Sequence, residues 1–154
     1  MAIDIHRLEA FEVRLALEEL NNNFCYYLDH SMTEELVNLF TEDAVYVHGS
    51  RQSHGRQEIL QVFEKRGSRG ARTARHLQTG LRIQMESEDR ARGESVCMTF
   101  AENALPPVNH ASPYLIADFI DRYRRCDDGE WRIAARTIER IFVAPENTGP
   151  VGQS

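Results

Sequence analysis

Apolar side chains recur at gaps of three and four near the start of the chain, at Leu8, Phe11 and Leu15 and then at Leu17, Leu20, Phe24 and Leu28. That spacing predicts an amphipathic helix over residues 4 to about 30, with Asp4 able to cap its first turn. Ser31-Met32-Thr33-Glu34 has capping-box spacing and predicts a second, shorter helix through Leu36, Leu39 and Phe40. Ala44-Val45-Tyr46-Val47-His48 then forms a short β-rich run stopped at Gly49. Gly55 precedes a third helix carrying Ile59, Leu60 and Phe63, which Gly67 and Gly70 close.

Beyond Ala71 the pattern reads as strands. They are predicted near 73–85, 93–102, 114–125 and 130–143, and Asp127-Asp128-Gly129 supplies hairpin-turn chemistry before the last. Helices first and a long meander afterwards mean an α+β fold. The expected shape is a cone-shaped α+β barrel, with N-terminal helices packed on a strongly bent, mostly antiparallel sheet. Its open end is the natural ligand pocket, because helix and sheet diverge there. Residues 1–143 read as one domain. Residues 144–154 hold Pro145, Gly149, Pro150 and Gly152 without periodicity, and read as a tail or a pocket flap.

Composition narrows the partners. A chain of 154 residues, 42% hydrophobic, can bury one real core. Its formal charge of −6, from 18 basic and 24 acidic residues, argues against nucleic acid, which calls for a basic excess. Cys25, Cys97 and Cys126 are odd in number and far apart, which suggests neither a disulfide framework nor a zinc knuckle and fits a reducing cytoplasm. Acidic residues from Asp4 onward interrupt any apolar leader, and no segment approaches bilayer-spanning length. A soluble, untargeted protein without membrane partners is expected.

Two residues carry the sharpest chemistry. Asp29 closes the long helix and His76 opens a strand. A carboxylate orienting an imidazole is the simplest arrangement that makes histidine a general base near neutrality. Counting back three, four and seven positions from Asp29 gives Tyr26, Cys25 and Asn22, a polar and aromatic face that reads as a pocket edge. The plain alternative is a helix-terminal acid in water. Strand alternation puts Gln78, Gly80 and Arg82 on the face of His76, with Arg75, Leu77 and Thr79 opposite. If the two meet, Asp29 accepts the proton of one ring nitrogen and the other is free to take a substrate proton. A small upward shift from the ordinary pKa of about 6.5 is then expected.

The string Asp29, Leu39-Phe40-Thr41-Glu42-Asp43-Ala44, Gly55-Arg56-Gln57-Glu58-Ile59, Arg75-His76, Asp118 to Tyr123 and Asp128-Gly129-Glu130-Trp131-Arg132-Ile133-Ala134-Ala135-Arg136 resembles the SnoaL-like branch of the nuclear transport factor two-like superfamily. The resemblance runs from about residue 8 to 143. The branch includes scytalone dehydratase, hexachlorocyclohexane dehydrochlorinase and bile-acid dehydratase, which share a helix-borne aspartate and a strand-borne histidine. It implies that Asp29 and His76 form that dyad. It also implies that Trp131 packs in the core, and that Arg136 is structural and pairs with Asp118 or Asp121. Two departures stand out. Gly80 occupies a position where those enzymes commonly carry asparagine, and the stretch Val96 to Ala101 is apolar where scytalone dehydratase has a second histidine.

Other candidates surround the dyad. Tyr46 and His48 alternate onto one strand face; Tyr46 is the better candidate, as a hydroxyl polarising a carbonyl, against the alternative of a core aromatic. Tyr26, Asn22, Gln78, Met98 and Phe100 are candidate substrate contacts, and His110 is another if its loop folds over the cup. No histidine pair has the spacing of metal ligands, so neither metal nor cofactor is expected. The basic cluster Lys65, Arg66, Arg69, Arg72 and Arg75 reads as a solvated face or a weak attraction for an anionic substrate. Trp131 and Arg136 are expected to point oppositely from their strand. Ile116, Phe119, Ile120, Ile133, Ile138 and Ile141 exceed what one sheet face needs, which predicts a homodimer or homotrimer.

The expected function is a cofactor-independent lyase or isomerase, dehydratase- or cyclase-like, abstracting an activated C–H proton from a small apolar cyclic or polyketide-like molecule. The alternatives are a non-catalytic partner resembling the small subunit of a ring-hydroxylating dioxygenase, and a small-molecule binding protein.

Overall fold

The computed structural model describes residues 5–109 and 111–144. The expected Asp4 cap, the His110 contact and residues 145–154 of the flap lie outside the described residues. The first helix, α1 (Ile5–Asp29), buries Leu17, Leu20 and Phe24, whereas Leu8, Phe11 and Leu15 share the periodicity yet remain exposed. Phe24 is the hub of the core: its ring meets Phe40, Phe63 and Phe119 edge to face at centroid distances of 6.1, 6.3 and 6.1 Å. Burying an aromatic of this size stabilises the fold by roughly 1.5–3 kcal/mol.

The second helix, α2 (Thr33–Asn38), starts without the expected capping box. Met32 holds the N-cap position with no side-chain bond, and Ser31 has a left-handed backbone with φ 57°. The helix also stops earlier than periodicity predicts. Phe40 leaves it to begin β1 (Phe40–His48), because pairing beside Ile133 buries the phenyl ring completely. Tertiary pairing outweighs helical spacing here.

A hairpin through Gly49 leads into β2 (Arg51–His54), a strand that its polar sequence concealed because only Ser53 is buried. The third helix, α3 (Gly55–Gly67), buries Ile59 and Phe63. Its first residue must be glycine: φ is +74°, and a Cβ would lie 3.2 Å from the carbonyl oxygen of Glu42. Arg56 fixes the helix to the α2–β1 corner by donating to the Phe40 carbonyl at 2.7 Å and to the Glu42 carboxylate at 2.5 Å.

The long strands are β3 (Thr73–Met85), β4 (Arg90–Glu102), β5 (Leu115–Arg125) and β6 (Trp131–Val143). With β1 and β2 they form one unclosed six-stranded sheet in the order β2-β1-β6-β5-β4-β3, antiparallel except for the β1–β6 pair. The architecture is an α+β cone with the helices over the concave face.

Two irregularities re-aim side chains. Between Thr79 and Arg82 the β3–β4 register shifts, with Gly80 at φ 70°. Beyond it Leu81 and Ile83 pack against the core, while Arg82 is exposed and no longer shares the face of His76. A second shift opposite Arg122 and Tyr123 makes Ala134 an extra residue in β6. Trp131 and Arg136, expected to point oppositely, are therefore both buried.

Candidate active site

Asp29 ends α1 where the helix crosses β3, and its carboxylate grips His76 twice. Oδ2 accepts the backbone N–H of His76 at 2.9 Å, and Oδ1 lies 2.5 Å from Nδ1. A carboxylate can only accept, so Nδ1 carries the proton and Nε2 keeps its lone pair. Both side chains are nearly sealed from water, at 7% exposure for His76 and 6% for Asp29. The imidazole pKa goes down, opposite to expectation. Burial disfavours the cation most; the Asp29 hydrogen bond and charge restore part of this, and Arg66 and Arg72 add smaller downward pushes. His76 is thus a neutral, oriented base at pH 7.

The imidazole lines a narrow cleft that opens to solvent. Phe24, Leu28, Phe63, Leu115, Phe119 and Ile138 make its apolar wall. Tyr46 and His48 enter it from β1, and Arg51, Lys65, Arg66 and Arg69 stand around it. Tyr46 is only 4% exposed, and its hydroxyl has no hydrogen-bond partner among the described residues. Burial pushes its phenol up to about 12, so it acts as a neutral donor. His48 is pushed down to about 4, first by burial and then by Arg140, Arg66 and Arg51, and its Nε2 is buried without a hydrogen-bond partner. Sequence reasoning ranked His48 low. Its strand alternation with Tyr46 was the available signal.

The remaining candidates fall elsewhere. The inward face of α1 follows steps of four from Asp29 to Cys25 and Asn21, both buried, whereas Tyr26 is 55% exposed and Asn22 also faces solvent. Tyr26 stacks on His30 at 4.1 Å instead of facing the cleft. Met98 and Phe100 belong to the outer face of the sheet, because Ser95, Cys97 and Thr99 take the inward positions of β4. Met98 and Phe100, like Tyr26 and Asn22, therefore do not line the cleft at His76. Gln78 does point inward, but into a polar layer below the cleft. Its amide donates to Asn21 at 3.0 Å and to Ser95 at 2.6 Å.

That layer, which sequence reasoning glimpsed only through Arg136, ties the cone together. Arg136 is completely buried and donates to both oxygens of Asp121, Nε at 2.8 Å and Nη2 at 2.7 Å. Nη2 also donates to the Asn21 side-chain oxygen. Tyr123 donates to Asp121 at 2.6 Å, and the Asn21 amide donates to the Tyr123 hydroxyl at 2.8 Å. Phe24 and Phe119 flank the guanidinium at 4.3 and 4.7 Å. Although burial opposes it, the Asp121 carboxylate holds Arg136 protonated above its usual range. Among the described residues no three His, Cys, Asp or Glu side chains gather as a metal site would require.

Helices over a bent, unclosed sheet, with a carboxylate and an imidazole joined at a cleft between them, define an α+β cone of the nuclear transport factor two-like superfamily. The chain belongs to the SnoaL-like domain family, whose model matches residues 9–137. No curated protein matches the sequence. Among solved structures, a candidate scytalone dehydratase from Novosphingobium aromaticivorans DSM 12444 is 21% identical with a TM-score of 0.79, the match covering 95% of this chain and 97% of that one. LinA is 21% identical with a TM-score of 0.75, covering 88% and 90%. ActVI-ORFA from Streptomyces coelicolor is 19% identical with a TM-score of 0.74, covering 83% and 97%. At these identities the likeness is one of fold.

Proposed function

We propose that the protein is a cofactor-independent lyase or isomerase that begins its reaction by removing an activated C–H proton. The observation that carries this reading is the 2.5 Å contact between Asp29 and Nδ1 of His76 at the wall of an open apolar cleft. Nε2 takes the proton, Asp29 stabilises the imidazolium, and the Tyr46 hydroxyl donates to the oxygen on which the enolate charge develops. Loss of a leaving group or ring closure follows. A positioned base supplies on the order of 10²–10⁴ in rate, which suffices for a C–H beside a carbonyl but not for an unactivated one. A carrier or a purely structural subunit has no use for a base buried and oriented in this way.

The reading is tested by proton–deuterium exchange into a panel of enolisable bicyclic ketones such as 2-tetralone, followed by NMR in heavy water. Exchange should rise well above buffer with the intact protein and fall to background in His76→Ala. Equal rates for the two proteins would refute the dyad.

The outer face of the sheet supports self-association. Leu77, Met98, Ile116 and Phe142 lie side by side across β3, β4, β5 and β6, an apolar row where a solvated sheet face would be polar. A second copy covers this row in a homodimer or homotrimer. Light scattering of Leu77→Lys/Phe142→Lys should report a smaller particle than the unmodified chain. Cys25, Cys97 and Cys126 are all unpaired, in keeping with residence in a reducing cytoplasm.

A further inference from the structure

The cleft also carries a charge pattern that proton abstraction does not use. Arg51, Lys65, Arg66 and Arg69 line it, and among the described residues no carboxylate does. Asp29 lines the neighbouring cleft together with Arg66, and both its oxygens are engaged by His76. Arg51 comes from β2; Lys65 and Arg66 come from the last turn of α3, with Arg69 just beyond. These elements bring four cations to a cleft whose remaining lining is largely apolar.

Arg66 is the telling member. It is half-buried between this cleft and a neighbouring one under Tyr27 and Leu36. Among the described residues its guanidinium has no hydrogen bond and no ion pair. Five N–H donors partly withdrawn from water without an acceptor carry a free-energy cost. Burial and the neighbouring Arg72 accordingly push its pKa down. A planar carboxylate satisfies such a fork with two parallel bonds, as a neutral amide cannot.

Resting on the reading of this cleft as the substrate site, we propose that its ligand is an organic anion, an apolar ring-bearing carboxylate whose acid group pairs with Arg66. The ring system packs on the apolar lining of the cleft, where Leu28 and Val62 are partly exposed, with a carbon of the ring or its side chain at His76. The other cations at the mouth raise the local concentration of anions and speed encounter, an effect that salt screens. Arg66 is therefore a specificity-determining residue that itself takes up no substrate proton, although its charge helps keep His76 neutral.

The test compares 1-naphthoate with its isosteric amide, 1-naphthamide, by isothermal titration calorimetry on the full chain. The acid should bind at least tenfold more tightly to the unmodified protein. Arg66→Gln should bring the two affinities together, and Arg66→Lys should keep part of the preference. His76→Ala should keep the preference while losing deuterium exchange, so failure of this inference and failure of the dyad are told apart. Thermal melts of each variant check folding. Equal affinity for acid and amide, a preference that survives Arg66→Gln intact, or no binding of naphthoate by the unmodified protein would overturn the proposal.

Discussion

Replacing Asp121 by asparagine keeps the shape of the polar layer and removes its negative charge. Arg136 would then remain fully buried, having lost the carboxylate that its Nε and Nη2 reach at 2.8 and 2.7 Å. The Tyr123 hydroxyl would also lose a charged acceptor at 2.6 Å. The rings of Phe24 and Phe119 flank the guanidinium in both proteins and cancel in the comparison. Breaking a buried pair by removing one partner costs about 3–5 kcal/mol, against a typical total stability of roughly 5–15 kcal/mol. For a chain of this size that corresponds to a fall in Tm of about 6–20 °C. Urea titration followed by the fluorescence of Trp131, the one tryptophan, measures the change directly. The double variant Asp121→Leu/Arg136→Met should lose much less than Asp121→Asn alone, because no charge is left stranded. A loss below about 1 kcal/mol in Asp121→Asn, or a double variant as weak as the single, would refute the claim that this pair clamps the cone.

Asp29→Asn should retain the bond to the backbone of His76 but present an N–H or an uncharged oxygen to Nδ1, lowering exchange by on the order of 10²–10⁴; nitrogen-15 NMR of the imidazole should register the altered tautomer or ring environment, and unchanged activity would exclude the dyad. Because the His76 pKa is lowered, the base stays neutral through pH 7, so exchange should be flat there and fall on acidification with an apparent pKa below the ordinary 6.5. His48 titrates at about 4 in the folded chain, so above pH 6.5 it is neutral in both states, and below that the unfolded chain takes up a proton that the folded chain refuses. Its contribution to stability is therefore lost as pH falls from about 6.5 to 4, by up to about 3 kcal/mol, and urea titrations should find the loss smaller in His48→Gln.

Much of this was legible in the sequence, for identifiable reasons. Gaps of three and four marked α1 and α3, and alternation marked the long strands, because each element buries one face. The pairing of Asp29 with His76 followed from a resemblance whose short motifs keep their order along the chain. What escaped was whatever depends on the local counting of residues. Gly80 and Ala134 each insert one residue into a strand and reverse the parity beyond it, moving Arg82 outward and Arg136 inward. Steps of three and seven picked Tyr26 and Asn22, whereas the helix packs along steps of four and buries Cys25 and Asn21. Met98 and Phe100 are apolar yet lie on the outer face, because the smaller Ser95, Cys97 and Thr99 of β4 fill the concave one. β2 escaped because an edge strand with one buried residue has almost no hydrophobic signature.

The base and the cationic rim belong to different parts of the scaffold. Asp29 and His76 are held by α1 and β3, whereas Lys65 and Arg66 ride on α3, which packs against α2, β1 and β2. On the proposed reading, substitutions along the third helix exchange one ligand for another without disturbing the contact between Asp29 and His76. If the proposed function holds, a cone divided in this way can drift between substrates in small mutational steps, each intermediate keeping the Asp29–His76 contact.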